Sequence, residues 1–129
     1  MSDKVRIAVA GGGRTGTPLI EEFLKRPYAE LVGVADVDPA SAGAKLARDN
    51  GAVFTTDALV FAKMGGEIDL LFEVSGDPSL KRKLKDAFVA AGNHHTIIVH
   101  DLVARLVMTV VSGSDDLVPP LHPDDVGVG

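Results

Sequence analysis

Three glycines near the start of the chain have a spacing that allows a protein backbone to bind phosphate. Gly11, Gly13 and Gly16 stand in the order Gly-x-Gly-x-x-Gly, directly after the apolar run 5–10. Glycine can adopt the positive φ of a tight turn, and its missing Cβ lets a pyrophosphate approach the backbone. The helix that should follow, over about 17–25, presents free N–H groups and the positive end of its dipole to the same anion. The pattern predicts a dinucleotide site.

An acidic residue supplies a second part of this site. Asp36 follows the next apolar run, 31–35, and lies twenty residues after Gly16. A carboxylate there accepts hydrogen bonds from ribose hydroxyls and repels the 2′-phosphate that distinguishes NADP from NAD. The next cation along the chain is Lys45, although Arg14 in the glycine loop is placed to assist a phosphate. The sequence therefore favours NAD over NADP. The alternative to a dinucleotide site is a glycine turn that only joins the strand tightly to the helix.

Strands and helices that would position these residues alternate along the chain. The apolar runs predict strands at 5–10, 31–35, 52–55, 68–74 and 96–99. Capping residues and prolines predict helices at 40–49, from 57 to about 64, and at 78–91. Right-handed crossovers then give an α/β fold, an open, parallel, doubly wound Rossmann sheet of order 3-2-1-4-5 with helices on both faces. The glycine turn would lie at the switch point of this sheet.

The last part of the chain changes character. Residues 101–111 suit a helix with Val103, Leu106, Val107 and Val110 on one face, although their β-branched end suits a strand nearly as well. Residues 112–129 are rich in Pro, Asp and Gly, which is typical of an extended arm or linker that adds little to a core. We therefore expect a domain over 1–111 and an arm over 112–129. The segment 102–111 either covers its own sheet or forms a homodimer surface, which we favour.

Composition and charge exclude several classes of function. The 129 residues contain no cysteine, which rules out disulfides, cysteine nucleophiles and thiolate metal sites. A net charge of −5 argues against nucleic-acid binding, which depends on neutralising phosphates with Lys and Arg. No apolar run approaches the roughly 20 residues that cross a bilayer, and the N-terminus lacks a signal-peptide pattern. These features predict a globular, cytoplasmic protein with no membrane segment.

Three stretches together resemble the N-terminal domain of the glucose–fructose oxidoreductase and inositol dehydrogenase family: VRIAVAGGGRTG, LVGVADVDPASAGAKLARDNGAVFTTD and IDLLFEVSGDPS. The resemblance covers roughly residues 4–100 and implies an NAD- or NADP-binding domain in which Asp36 takes the adenosine ribose. It implies pyrophosphate contacts from Gly11, Gly13, Arg14, Thr15 and Gly16, and a nicotinamide side lined by Val74, Ser75 and Gly76. Gly12 and Val37, next to these residues, complete the predicted contacts along the dinucleotide.

The sequence departs from this family after the fifth predicted strand. The family carries a Glu-Lys-Pro motif there, whose lysine serves catalysis, and then a second α/β domain for the substrate. Here the stretch is Val99-His100-Asp101-Leu102. Hydride transfer needs a substrate pocket and a group that handles the hydroxyl proton. We therefore expect an NAD-binding domain that is not catalytic by itself, with no catalytic residue assigned. Two alternatives stay open: a nucleotide-sensing regulatory module that signals to a partner or C-terminal domain, and an oxidoreductase completed by a partner chain.

The remaining polar residues invite other roles. His94 and His95 are adjacent at the start of a strand, where neighbours point to opposite faces, so no metal site is predicted. His100 ends the fifth strand at the edge of the expected cleft and is a candidate ligand contact. Glu73 is either close to the ligand or a paired structural charge, and the second is favoured. The basic run 81–83 predicts a solvated helix face.

Overall fold

A computed structural model describes residues 3–13 and 15–125 of the chain. Strands and α-helices alternate through these residues: β1 (Val5–Ala10), α1 (Gly16–Leu24), β2 (Ala29–Ala35), α2 (Ala42–Asp49), β3 (Val53–Thr55), β4 (Leu70–Glu73), α3 (Leu80–Ala90), β5 (Ile97–Ile98) and α4 (Asp101–Ser112). A 3₁₀ segment, Ala58–Glu67, connects β3 to β4. Arg14 and residues 126–129, which belong to the predicted site and arm, lie outside the described residues.

The five strands form one parallel sheet of order β3-β2-β1-β4-β5, so the predicted Rossmann class and strand order are confirmed. Ala10, the last residue of β1, lies beside Ala35 of β2 and Glu73 of β4. The chain leaves β1 first towards β2 and later returns on its other side to form β4. The carboxyl end of β1 is therefore the switch point of the sheet, where open α/β proteins bind ligands.

Helices bury both faces of the sheet. Along β1, Ile7 and Val9 enter the core under α1, α2 and α4, whereas Ala8 and Ala10 enter the core under the 3₁₀ segment and α3. This alternation follows from the two-residue period of a strand, and it explains why β1 is apolar almost throughout. Small alanines on the second face leave room for the Phe61 ring, which is fully buried.

Two helices begin later than predicted, because the aspartates expected to cap them form turns of their own. Asp38 accepts a hydrogen bond from Ala40 N at 2.9 Å, and α2 is capped instead by Ser41, which accepts from Ala44 N. Asp77 accepts from Ser79 N and Ser79 Oγ, so α3 begins only at Leu80. Aspartate before proline favours such local turns as well as helix starts.

The helix predicted from Asp57 is a 3₁₀ helix rather than an α-helix. Asp57 caps it as expected, accepting a hydrogen bond from Leu59 N at 3.0 Å. Gly65 has φ 56° and ψ −128° and interrupts the helical path before the segment ends at Glu67. The pair Gly65-Gly66 thus acts as the predicted stop, slightly inside the segment.

The segment after β5 is a helix, α4, and not a strand. Its buried side differs from the predicted apolar face, because Val107, Met108 and Val111 pack against the core beside the buried Ala104. The side chains of Leu102, Val103, Leu106 and Val110 are each at least half exposed. The apolar stripe therefore points away from the sheet of its own chain.

Residues 117–125, called the strap below, run back over α4 without forming a helix or strand. Val118 O accepts a hydrogen bond from Arg105 Nε, and Val118 N donates to Thr109 Oγ1. Leu121 packs against the core, and His122 is only 3% exposed. The expectation that this arm adds little to a packed core is thus wrong for the strap, because its polar side chains find buried partners on the domain.

An ion pair joins the amino ends of β1 and β4, opposite the switch point. Asp69 accepts hydrogen bonds from Arg6 N at 2.8 Å and Arg6 Nη2 at 3.1 Å, and His95 Nε2 lies 2.6 Å from Asp69 Oδ1. The Arg6 side chain, then the Arg6 backbone N–H and His95, hold the pKa of Asp69 well below its ordinary value of 3.8. His95 is therefore a structural partner of Asp69.

We expect Asp69→Asn to lower the free energy of unfolding at neutral pH and to change its acid dependence. A lowered folded-state pKa means that the Asp69 carboxylate stabilises fully above its unfolded-state pKa of about 3.8 and loses this effect as the pH falls below it. The stability gap between the wild type and Asp69→Asn should therefore shrink from pH 6 towards pH 2, as measured by urea unfolding. A gap that is constant over this range would contradict the assignment.

Candidate functional site

A cleft of about 470 Å³ opens at the carboxyl ends of β1, β2 and β4. It brings together eight of the residues predicted from the sequence: Gly11, Gly13, Thr15, Asp36, Val37, Val74, Ser75 and Gly76. Sequence reasoning missed Thr56, Asp57 and Leu80, which also line the cleft. Thr56 and Asp57 follow the end of β3 on the same edge of the sheet, and that position was the available signal.

Three other predicted residues lie outside the lining of this cleft. Gly12 is buried and packs against Gly43, whose Cβ, if present, would stand 2.5 Å from Gly12 Cα. Gly16 lies under the turn as the first residue of α1. His100 caps α4 through Nδ1, which accepts a hydrogen bond from Leu102 N at 3.1 Å. Direct contact of these three residues with a cofactor stays a prediction.

The glycine turn has the geometry that its spacing predicts. Gly11 has φ 112°, and a Cβ on it would stand 2.8 Å from Ser75 N, so this residue lets β1 and the loop after β4 meet closely. A Cβ on Gly13 would meet nothing within 4 Å, because Gly13 faces the open cleft. The turn thus combines one closely packed glycine with one whose backbone is accessible to a ligand.

Asp36 is held at the edge of the cleft by two backbone groups. Its Oδ2 accepts a hydrogen bond from Gly12 N at 2.7 Å, and its Oδ1 accepts one from Asp38 N at 2.8 Å. Each carboxylate oxygen has a further lone pair for a ligand hydroxyl. None of the described residues that line the cleft is lysine or arginine. A hydroxyl donor therefore fits this corner better than an anion does.

A buried carboxylate supports the loop on the other side of the cleft. Glu73, at the end of β4, accepts hydrogen bonds from Ser75 N at 2.8 Å and from Ser75 Oγ. Its second oxygen pairs with His122 Nε2 of the strap, and both side chains are almost completely buried. Glu73 is thus a paired charge, the reading that the sequence favoured. The histidine that pairs with it was not singled out, because nothing in its local sequence marks it as buried.

A second buried pair fixes the strap to α3. Asp125 pairs with Lys81 Nζ and accepts a hydrogen bond from Asp101 N at 2.9 Å. Burial raises the pKa of Asp125, but the hydrogen bonds from Lys81 and Asp101 N outweigh it and lower this pKa to about 2. The prediction of a solvated basic face is therefore wrong at Lys81, which is 5% exposed.

The described residues contain no group of three or more His, Asp or Glu side chains arranged to hold a metal ion. Among the helices of the same residues, none combines the length and the apolar character needed to pass through a bilayer.

By sequence, the chain is similar to part of several acetaldehyde dehydrogenases, and no family model matches it. It is 33% identical over 86 residues to acetaldehyde dehydrogenase of Thermus thermophilus, which is 66% of this chain and 28% of that protein. It is 35% identical over 124 residues to acetaldehyde dehydrogenase 1 of Burkholderia cenocepacia, which is 94% of this chain and 38% of that protein. The chain thus spans well under half the length of these relatives.

By structure, the chain is similar to part of GenD2 and of several inositol dehydrogenases. It superposes on GenD2 from gentamicin A biosynthesis, solved in complex with NAD, with a TM-score of 0.58, 22% identity, and coverage of 88% of this chain and 32% of that one. For myo-inositol 2-dehydrogenase from Lactobacillus plantarum the TM-score is 0.58 with 18% identity, and coverage is 86% and 33%. The resemblance read from the sequence is confirmed at the level of the fold: this chain has the Rossmann fold found in inositol dehydrogenases.

Proposed function

We propose that this chain binds a dinucleotide, NAD(H) in preference to NADP(H), in the cleft at the switch point. The observation that carries the proposal is the exposed backbone at Gly13 together with the Asp36 carboxylate, which two backbone N–H groups fix at the edge of the same cleft. A pyrophosphate needs the first feature, and ribose hydroxyls need the second. The cleft volume of about 470 Å³ is within the usual range for small-molecule sites.

Each part of the dinucleotide has a proposed set of contacts. Asp36 and Val37 would hold the adenosine ribose, with Asp36 accepting from its hydroxyls. Gly11, Gly13 and Thr15, at the start of α1, would face the pyrophosphate, and the helix dipole favours negative charge there. The loop formed by Val74, Ser75 and Gly76 would line the path to the nicotinamide half.

The names of similar proteins support this ligand class. GenD2 was solved in complex with NAD, and scyllo-inositol dehydrogenase from Lactobacillus casei was solved with bound NAD(H) and scyllo-inositol. The second structure is 19% identical to this chain with a TM-score of 0.54. The relatives found by sequence are dehydrogenases as well. An oxidoreductase relationship is therefore part of the proposal, whereas turnover by this chain is not.

NAD supplies a hydride acceptor at its nicotinamide ring when bound, and the protein must position a substrate against that ring. Within the described residues, those lining the cleft include no lysine or histidine that would exchange a proton with a substrate hydroxyl. We therefore propose binding and orientation of the dinucleotide as the role of this chain. Hydride transfer would require residues from another domain or a partner chain.

The direct test is calorimetric titration of one preparation with NAD, NADH and NADP. We expect NAD and NADH to bind, and NADP to bind more weakly because its 2′-phosphate would lie against Asp36. A preparation that is folded by circular dichroism yet binds none of the three at millimolar concentration would overturn the proposal.

Asp36→Asn is expected to reduce the preference for NAD over NADP by about tenfold, or about 1.4 kcal/mol. The amide keeps one oxygen for Gly12 N or Asp38 N and gives up the other of these two hydrogen bonds, and the negative charge that repels the 2′-phosphate is lost. The readout is the ratio of the two dissociation constants, since a general loosening of the turn would weaken both ligands equally. Asp49→Asn, on the exposed end of α2, is the matched control. An unchanged ratio would remove Asp36 from the ribose.

We further propose that the exposed apolar stripe of α4 mediates a homodimer. Leu102, Val103, Leu106 and Val110 form a contiguous face at helical spacing, and each side chain is at least half exposed. Leu106→Glu should therefore convert a dimer to a monomer in analytical ultracentrifugation while leaving the fold intact. Val89→Glu on α3, where the side chain is 72% exposed, is the control and should not change the assembly. A wild-type monomer at high concentration would refute the homodimer.

The cytoplasmic location stays a prediction from the sequence.

A further inference from the structure

The loop after β4 presents Ser75 to the cleft with its hydrogen-bond donors already used. Ser75 is exposed and lines the cleft. Its N–H donates to Glu73 Oε1 at 2.8 Å, and its hydroxyl donates to the same oxygen. The Glu73 carboxylate is buried, and its other oxygen is paired with His122, so its orientation is fixed. Both hydrogens of Ser75 therefore point away from a ligand in the cleft.

The hydroxyl oxygen of Ser75 has one position left for a hydrogen bond. A serine hydroxyl has one hydrogen and two lone pairs. The hydrogen is donated to Glu73, and one lone pair accepts a hydrogen bond from Asp77 N at 3.2 Å. With the partners that the described residues supply, this leaves one lone pair for a ligand. Ser75 can therefore accept a hydrogen bond from a ligand but cannot donate one to an anion.

Asp77 adds a negative charge beside this acceptor. It is exposed and lines the same end of the cleft. Ser79 N and Ser79 Oγ each donate to Asp77 Oδ1 at 2.9 Å, and these hydrogen bonds hold the pKa of Asp77 below its ordinary value of 3.8. Lys83 also favours the ionised form, but it does not line the cleft. Asp77 is therefore a carboxylate at neutral pH.

The charges along the cleft have one sign. The charged side chains among the described residues that line it are three carboxylates: Asp36, Asp57 and Asp77. At the β4 end, Asp77 stands next to an oxygen that can only accept. This end of the cleft therefore suits a group that donates hydrogen bonds or carries a positive charge.

The two redox forms of NAD differ in the charge of the part that would lie at this end. The nicotinamide ring carries a positive charge in oxidised NAD and none in NADH, whereas the rest of the molecule is the same. We propose that the β4 end of the cleft selects the oxidised, cationic form of the dinucleotide, through the acceptor of Ser75 and the carboxylate of Asp77. This inference rests on the proposed function, which places the nicotinamide half beside residues 74–76, and specifies the redox state that the chain recognises.

The first test compares oxidised NAD, NADH and ADP-ribose on the full chain by calorimetry. We expect NAD to bind at least about threefold more tightly than NADH, a modest preference because water and salt screen the exposed Asp77. ADP-ribose lacks the nicotinamide and measures the binding of the rest of the ligand. A preference below about threefold, or one in favour of NADH, would overturn the inference. This measurement needs no variant, so it is decisive even where a substitution impairs folding.

Nicotinic acid adenine dinucleotide tests the acceptor directly. This probe has a carboxylate in place of the carboxamide of NAD, so it loses N–H donors and gains a negative charge. We expect it to bind at least about fivefold more weakly than NAD, because Ser75 has no hydrogen to offer it and Asp77 repels it. A smaller difference would overturn the inference.

Asp77→Asn tests the charge. The amide oxygen can still accept from Ser79 N and Ser79 Oγ, which both bond to a single oxygen of Asp77, but the negative charge is lost. The dissociation constants of NAD and NADH should then agree within about twofold, with that of ADP-ribose unchanged. Asp86→Asn, exposed on α3 and outside the cleft, is the matched control and should keep the wild-type preference. A preference for NAD that persists in Asp77→Asn would overturn the inference.

Failure of this inference and failure of the proposed function give different results. Binding of NAD, NADH and ADP-ribose without the expected preference would overturn the inference alone. Binding of none of the three to folded wild-type protein would overturn the proposed function, and this inference with it.

Discussion

Gly16→Ala is expected to unfold the glycine turn and to cost about 3 kcal/mol or more of the free energy of unfolding. A Cβ on Gly16 would stand 1.6 Å from Gly11 O, an impossible contact with a backbone atom. The turn has little room to yield, because Gly11 itself lies against Ser75, and Gly11 N donates to Ala35 O at 2.7 Å. Glycine to alanine within a helix normally stabilises by about 0.5–1 kcal/mol, so the expected sign is the reverse of the usual one.

Gly13→Ala is the matched control for this substitution, since it lies in the same turn with nothing within 4 Å of the added Cβ. Chemical unfolding of the two variants and the wild type measures the difference directly. If Gly16→Ala were as stable as Gly13→Ala, the close approach of α1 to the turn would not exist in solution.

Gly13→Val is expected to abolish dinucleotide binding while leaving the fold intact. The added side chain projects into open space in the free protein, so it costs little stability. In the proposed complex it would occupy the position from which the pyrophosphate meets the backbone, and the bulk would block that approach. The loss in binding free energy should exceed about 3 kcal/mol. A ligand that binds the wild type with a micromolar dissociation constant would then bind the variant too weakly to be detected at ordinary concentrations.

Calorimetry with NADH measures this loss, and thermal unfolding shows that the variant is folded. Gly66→Val serves as the control, because Gly66 is exposed, has nothing within 4 Å of an added Cβ, and lies outside the cleft. Retained affinity in Gly13→Val would mean that the turn only connects strand to helix, the alternative left open by the sequence.

Taken together, Gly16 and Gly13 separate two roles that one motif combines. Gly16 permits α1 to begin directly under the turn, so its replacement should act on stability. Gly13 exposes backbone to the cleft, so its replacement should act on binding. Gly12, the residue before Gly13, serves neither role: it packs on Gly43, and its N–H donates to Asp36.

The sheet order and the glycine turn were predictable because they depend on local patterns. An apolar run such as 5–10 encodes a strand buried on both faces, and the handedness of the crossovers then leaves few possible orders. Asp36 was likewise predictable, since it ends a strand beside the one that carries the turn. In these cases the residues that interact are set by the period and order of the elements themselves.

Only the tertiary structure determines which distant polar side chains pair and become buried, and where the strap lies. Glu73 and His122 lie 49 positions apart, and Lys81 and Asp125 lie 44 apart, so no local pattern pairs them. A lysine in a basic run and a histidine in a proline-rich arm both look solvated in sequence, because burial of a charge becomes favourable only once its partner is in place. Local periodicity therefore specified the Rossmann sheet and the edge at which the cleft opens, whereas long-range pairing determined which charged and polar side chains are buried beneath the strap.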